Sequence, residues 1–335
     1  MGSISQLGGM LKTSVRRSVF LAVLALPLLV SVMPASAAAP PVATAAPGFA
    51  RMQLGGFEVT ALSDGTVSLD LRTLLKNVKP ARLDADLGAV FLREPVETSV
   101  NAYLVNTGSK LVLIDTGAGN LFGPTLGKLG ANLKAAGYDP SQIDEIYITH
   151  FHADHIGGLI APDGTAVFPN AIVRADKRES DYWLSDANLN AAPADAKSFF
   201  EGARKSLKPY VDAGHYKSFN GATTLVPGIR TIATPGHTPG HTTYVVESKG
   251  SRLVLWGDLV HAASVQFQDP NVAIGFDSNT TAAIAARKTA FAEAAAQGTW
   301  VGAAHIAFPG IGHVTRTAHG YQWVPANYSP VITGK

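Results

Sequence analysis

The sequence predicts an α/β fold whose sheets are covered on both faces. Three observations carry that prediction. Short apolar runs alternate with longer stretches of helical composition, the order expected when strands and helices interleave. Several of the runs are apolar at consecutive positions, which places them in sheets with no solvent-facing side. The composition, 46% hydrophobic and 16% charged with 33 Gly and 20 Pro, is that of a folded chain with a substantial core, not of a disordered, collagenous or coiled-coil one.

Taken in order, the chain opens with a targeting segment. Lys12, Arg16 and Arg17 precede an apolar run over 19–30, and Ala35, Ser36 and Ala37 have the small side chains of a cleavage site. Residues 1–37 therefore read as an export signal peptide, and the run is too short to serve as a membrane anchor in the mature form. The pair Arg16-Arg17 followed by Ser18, Val19 and Phe20 looks like a twin-arginine signal, so the expected location is periplasmic, by a Sec or twin-arginine route. Without these residues the chain carries 24 basic against 25 acidic side chains, a formal charge of −1. That balance offers no electrostatic footprint for nucleic acid.

Residues 38–48 form an Ala/Pro/Val linker, and ordered structure is expected from 49 to 335. Strands are expected at 57–62, 99–105, 111–114, 143–149, 171–174, 229–233, 243–246, 253–256 and 300–303, each a short apolar run. Helices are expected at 124–136, 196–207 and 281–297, the first opened by Pro124 and closed by Gly137, the last ended by Gly298. No short-period repeat is present. Periodicity alone leaves a doubly wound sheet and a sandwich of two sheets both open.

The histidines carry the functional signal. All ten lie between positions 150 and 319, and three fall in Thr149-His150-Phe151-His152-Ala153-Asp154-His155-Ile156-Gly157-Gly158, directly after an expected strand. In an extended segment His150 and His152 project to the same side, and Asp154 and His155 follow as the chain turns. The chain has no cysteine, so any metal must be held by imidazole and carboxylate, which suit zinc and similar divalent ions. His237, Asp258 and His305 each follow an apolar run, where α/β folds place their chemistry. Any one of them alone reads as a turn cap or a satisfied polar group; together with the first cluster they read as ligands.

This pattern, His-x-His-x-Asp-His followed by a separate His, an Asp and a last His, resembles the signature of the metallo-β-lactamase-fold hydrolases, from about residue 57 to about 312. The resemblance implies a four-layer αββα sandwich, with two mixed sheets flanked by helices and a single catalytic domain over 49–335. It implies one metal on His150, His152 and His237, a second on Asp154, His155 and His305, and Asp258 bridging both. Asp115, in Leu113-Ile114-Asp115-Thr116-Gly117, matches the family's early buried aspartate. Zinc is the first expectation, with manganese, iron and cobalt accepting the same ligands.

Two divalent ions about 3.5–4 Å apart can hold a hydroxide between them and stabilise charge on an attacked oxygen, so the reaction class is hydrolysis. Asp154 is also placed to accept or pass a proton. His241, four after His237, is expected to orient it or a nearby loop. His261 reads equally as a donor at the pocket rim or as a plain loop residue. His215, His313 and His319 read as surface or loop side chains.

Asp258 argues against the true β-lactamases, and the export signal against intracellular thioesterases and transfer-RNA nucleases of the family. The stretches 104–115, 122–126, 144–150, 236–248 and 309–313 are similar to the branch of methyl parathion hydrolases and dihydrocoumarin (lactone) hydrolases. That branch implies an aromatic pocket, here Phe122, Trp183 and Phe199, and a homodimer. Of Phe199 and Phe200, one is expected to point inward. Leu75, His261, Ile274 and Phe276 depart from the phosphotriesterase pattern, and the bulk of Ile274 and Phe276 favours a planar lactone over a tetrahedral phosphorus centre. The expected substrate is a small neutral aryl lactone or ester, with phosphotriester hydrolysis second. A periplasmic metal-binding protein without turnover is the alternative from another class.

Overall fold

Alternate residues of the central strands point into two different cores. Leu104, Leu113 and Ile146 face one apolar cluster, whereas Tyr103, Val105, Val112, Ile114 and Tyr147 face another. This is why those runs read as apolar on both faces. The computed structural model describes residues 39–329, so the expected leader, residues 1–37, lies outside the described residues. The chain divides into two units, Met1–Ala45 and Ala46–Lys335. The described part of the first, residues 39–45, contains no helix or strand.

Among its described residues the second unit holds sixteen strands: β1 (Phe49–Leu54), β2 (Phe57–Leu69), β3 (Leu75–Lys76), β4 (Val96–Asn106), β5 (Leu111–Ile114), β6 (Glu145–Tyr147), β7 (Ile172–Asp176), β8 (Tyr216–Phe219), β9 (Thr224–Val226), β10 (Ile229–Ala233), β11 (Thr242–Ser248), β12 (Ser251–Leu255), β13 (Ala273–Ile274), β14 (Trp300–Gly302), β15 (Ile311–Arg316) and β16 (Tyr321–Pro325). The α-helices are α1 (Leu71–Leu74), α2 (Pro80–Gly88), α3 (Leu129–Ala135), α4 (Ala153–Ile156), α5 (Lys177–Trp183), α6 (Asp186–Ala191), α7 (Lys197–Asp212), α8 (Ala263–Gln266) and α9 (Thr280–Gln297).

Two seven-stranded sheets, ordered β1-β2-β4-β5-β6-β7-β8 and β16-β15-β14-β12-β11-β10-β9, account for all but β3 and β13, which pair with each other. Both sheets are mixed: β5, β6, β7 and β8 run parallel in the first, β12 and β14 in the second, and the remaining pairs are antiparallel. One core joins the first sheet to α3 and α7 through Leu129, Leu133, Phe200 and Leu207. A second lies between the sheets, where Val59, Val105 and Ile114 meet Tyr244, Val246 and Leu255. A third joins the second sheet to α9 through Trp256, Phe291 and Val301. Helix, sheet, sheet, helix: the four expected layers follow from these three cores.

The differences from expectation have local causes. The helix expected from 124 starts at Leu129, because the buried Asp64 carboxylate accepts from the amides of Ala118, Gly127 and Leu129 and pins the preceding segment as a loop. The helix expected over 196–207 continues through Pro209 to Asp212. Strands β1 and β16 show no apolar run because each is a sheet edge, β1 mostly half-buried and β16 largely exposed, and such strands need only one buried face.

Candidate metal centre

Five strands, β5, β6, β10, β12 and β14, end on the same edge of the sandwich. The segments that follow them bring Asp115, His150 to His155, His237, Asp258 and His305 together. His152 is extended (φ −71°, ψ 154°) and directly precedes α4, so His150 and His152 leave the strand in extended backbone while Asp154 and His155 lie on the short helix. Donor atoms of His150, His152, His237 and Asp258 lie within 4.8 Å of one another, as do those of Asp154, His155 and His305. Asp258 stands between the two sets. Its Oδ2 is 3.2 Å from His237 Nε2 and 3.5 Å from His150 Nε2, and its Oδ1 is 3.1 Å from His155 Nε2 and 3.2 Å from His305 Nε2. Asp154 Oδ2 lies 3.7 Å from His155 Nε2 and 3.5 Å from His305 Nε2.

These separations fit divalent cations. Donors about 2.0–2.1 Å from a tetrahedral ion stand about 3.3–3.4 Å from each other. His150 Nε2, His155 Nε2 and Asp258 Oδ1 are buried without a hydrogen-bond partner among the described residues, a costly arrangement unless their lone pairs are used.

The outer nitrogens explain why the inner ones present lone pairs. His237 Nδ1 donates to Asp277 Oδ1 (2.9 Å), His155 Nδ1 to Asp115 Oδ2 (2.8 Å) and His305 Nδ1 to the Ser99 carbonyl (3.0 Å). Thr149 Oγ1 donates to Asp115 Oδ2 and stands 3.0 Å from His150 Nδ1. Each partner leaves Nε2 turned to the centre.

Charge follows geometry. Burial pushes His150 and His152 well below the usual imidazole range. Burial also works against the charge of His155 and His237, but Asp258 with Asp115 and Asp154 pushes His155 well up, and Asp258 with Asp277 pushes His237 up to about 9. The carboxylates call for positive charge here, which protons or cations supply.

Of the two roles expected of His241, orienting His237 or orienting a nearby loop, its contacts fit the second. Its Nε2 accepts the Asp258 amide at 3.0 Å and its Nδ1 faces Thr234 Oγ1 at 2.9 Å, and burial holds it down at about 3, so it stays neutral. Gly257 has φ +56°, and a Cβ there would come within 2.8 Å of His241 Nε2. His261 lies in the loop before α8 but is buried there: its Nε2 lies 3.1 Å from Asp258 Oδ2, and its ring stacks on His305 at 5.0 Å. His319 is exposed, and His313 is half-buried against Trp300.

A cleft opens over the centre, lined by Val67, Leu69, Phe122, Phe199 and Phe276 together with His152, Asp154, Asp258, His261 and His305. Three of the expected pocket residues do not line it. Leu75 and Ile274 pair with each other in the β3–β13 ribbon and pack behind Val67 and Phe276. Trp183 supports the His152 ring from behind at 5.5 Å and packs on Phe200, the inward member of its pair. A larger cavity of about 430 Å³ runs between α9 and β10–β12; five alanines of α9 line one side, and it holds none of the histidines. Asp277 escaped sequence reasoning because a single acid forty residues from its partner leaves no pattern. Its place beside Phe276 was the only cue.

A sequence model described as the Metallo-beta-lactamase superfamily matches residues 95–305. An N-acyl homoserine lactonase of Bacillus cereus is 30% identical over 195 residues, spanning 52% of this chain and 69% of that protein. Among solved structures, a hydrolase of the beta-lactamase superfamily, AbOPH, superposes with a TM-score of 0.81 at 35% identity, covering 85% of this chain and all of the other. AidC, a dizinc quorum-quenching lactonase in complex with a homoserine product, superposes with a TM-score of 0.79 at 28% identity over 84% of this chain and 98% of its own.

Proposed function

This chain belongs to the metallo-beta-lactamase superfamily and is a metal-dependent hydrolase, and from that premise we propose that it opens small neutral aryl lactones and esters at a two-ion centre. The observation that carries the reading is Asp258, whose carboxylate stands within 3.5 Å of histidines of both sets beneath an aromatic cleft. His150, His152 and His237 would hold one ion, Asp154, His155 and His305 the other, and Asp258 both. When bound, such a pair of ions, zinc first among the candidates, supplies a water activated near neutral pH and a Lewis acid for the oxygen that gains charge.

The protein's own groups do the rest. Asp115, Asp277 and the Ser99 carbonyl hold three ligand rings in register. Phe122, Phe199 and Phe276 shield the centre from water and offer flat faces to a ring. Asp154 lines the cleft and is the carboxylate placed to take up and release a proton. His261 lines the cleft with its Nε2 3.1 Å from Asp258 Oδ2, and burial holds its imidazole down at about 4. No Lys or Arg lines the cleft among the described residues, which disfavours an anionic substrate.

Relatives named as N-acyl homoserine lactonases and the lactonase with a homoserine product support ring opening of a lactone, and acyl homoserine lactones are the second substrate class to test. Phosphotriester hydrolysis ranks below both, because Phe276 narrows the cleft against a tetrahedral centre. The expected setting is periplasmic, after removal of residues 1–37, with the chain as a homodimer.

The test is a panel of dihydrocoumarin, an acyl homoserine lactone, phenyl acetate and methyl parathion on metal-replete and chelated protein. Chelator-sensitive turnover with the highest kcat/KM on dihydrocoumarin is expected. A higher kcat/KM on methyl parathion would reverse the ranking, and turnover indifferent to chelation would remove the metal reading.

A further inference from the structure

Glu179, in the first turn of α5, is completely buried. Its two oxygens accept from two different segments: Oε2 from the amide of Phe151 at 3.0 Å, Oε1 from the amide of Gly240 at 2.7 Å. Phe151 lies between His150 and His152, and Gly240 lies between His237 and His241. The carboxylate therefore spans the first half of the fold and the second at the point where His152 Nδ1 comes within 3.0 Å of His237 Nε2.

Gly240 belongs to the same device. A Cβ on it would stand 2.6 Å from the Glu179 backbone nitrogen and 2.9 Å from Glu179 Cγ, so only glycine lets the second segment close onto α5. The helix is itself anchored by Asp176, whose side chain accepts from the Arg178 amide and from Gly221. One further bond, from the Thr242 amide to the Thr149 carbonyl, joins the same two segments. Loss of Glu179 would thus loosen the gap without separating the sheets.

A buried carboxylate that satisfies two main-chain donors is costly to place and directional once placed. We propose that Glu179 is a positioning residue of the metal centre, setting the distance at which His152 and His237 share one cation; this rests on the metal-dependent reading above. The second set, Asp154, His155 and His305, is not bridged by it. A purely structural role would lower stability and leave the folded protein's two sites equally strong.

The experiment is zinc titration against a competing chelator on the full mature chain, with hydrogen exchange at the Phe151 and Gly240 amides of the metal-free protein. In Glu179→Ala one of two zinc affinities is expected to fall by about 10–100-fold, the range for lost ligand-orienting partners, with faster exchange at both amides. The loss should persist in a His305→Ala background and vanish in a His152→Ala background. Glu179→Gln, which keeps one acceptor oxygen, should lie between, and serves if the alanine variant does not fold; Gly240→Ala should mimic the loss. Unchanged affinities, or equal losses at both sites, overturn the proposal while leaving the metal centre intact. Failure of the unaltered protein to bind zinc would instead remove the metal reading, and this proposal with it.

Discussion

The Asp277 carboxylate lies 2.9 Å from His237 Nδ1 and through its other oxygen accepts from the Ile274 amide. Buried Arg287, on α9, reaches to 3.9 Å of it and donates to the carbonyls of Leu259 and Val272. One side chain thus joins a metal-facing histidine to the β3–β13 ribbon behind the cleft and to the outer helix. Asp277→Asn should weaken zinc binding and kcat/KM by about 10–100-fold, as expected when a histidine loses its carboxylate partner. Chelator competition measures the first and steady-state kinetics the second; unchanged values in both would show that His237 needs no such anchor.

Asp258 faces both histidine sets, so its loss should be felt at both. In Asp258→Ala, metal content should drop below two ions per chain and kcat/KM should fall by about 100-fold or more. Metal analysis on the purified variant decides it, and a full complement with normal turnover would contradict the bridging role.

Phe199 and Phe200 are neighbours with opposite fates. Phe200 is buried in the core under α7, 4.7 Å from Trp183, whereas Phe199 lines the cleft. Phe200→Ala should cost about 3–5 kcal/mol of stability, and Phe199→Ala about 1 kcal/mol or less while raising KM for an aryl lactone. Denaturant unfolding and kinetics on the two variants should separate cleanly; a larger stability loss at Phe199 would invert the assignment.

Asp176 ties acid stability to α5. Burial would raise its pKa, but the Arg178 guanidinium and the amides of Arg178 and Gly221 outweigh burial and hold it below 3.8. A carboxylate lowered in the folded state contributes fully above its unfolded value and loses that contribution as pH falls through the folded one. Asp176→Asn should therefore be less stable by about 1–2 kcal/mol at pH 7, the worth of its charged hydrogen bonds to Arg178 and Gly221, with the gap narrowing as pH falls through the lowered folded value. A gap independent of pH would rule this out.

Much of the centre is legible in the sequence. His150, His152, Asp154 and His155 sit in one segment, and His237, Asp258 and His305 each follow an apolar run; residue type and strand-end position are both local properties. The strands at 111–114 and 229–233 were legible to the residue, the first because both its faces are buried, the second because it is a compact run bounded by Gly228 and Pro235. The cleft was not. Leu75 and Ile274 are set back in the β3–β13 ribbon and Trp183 lies behind His152, because a large apolar side chain looks the same in a wall as in a core.

Apolar runs and side-chain chemistry, written in neighbouring residues, were enough to name an α/β fold with covered sheets and a metal-binding loop; the four layers and the full ligand set came only with the resemblance that the ligand order carries. Which groups hold the ligands was left to the folded chain. Glu179 meets Gly240 across 61 positions and Asp277 meets His237 across 40. Such contacts carry no period and no motif: they exist only once two sheets have packed, when a buried carboxylate must find donors wherever the packing has put them.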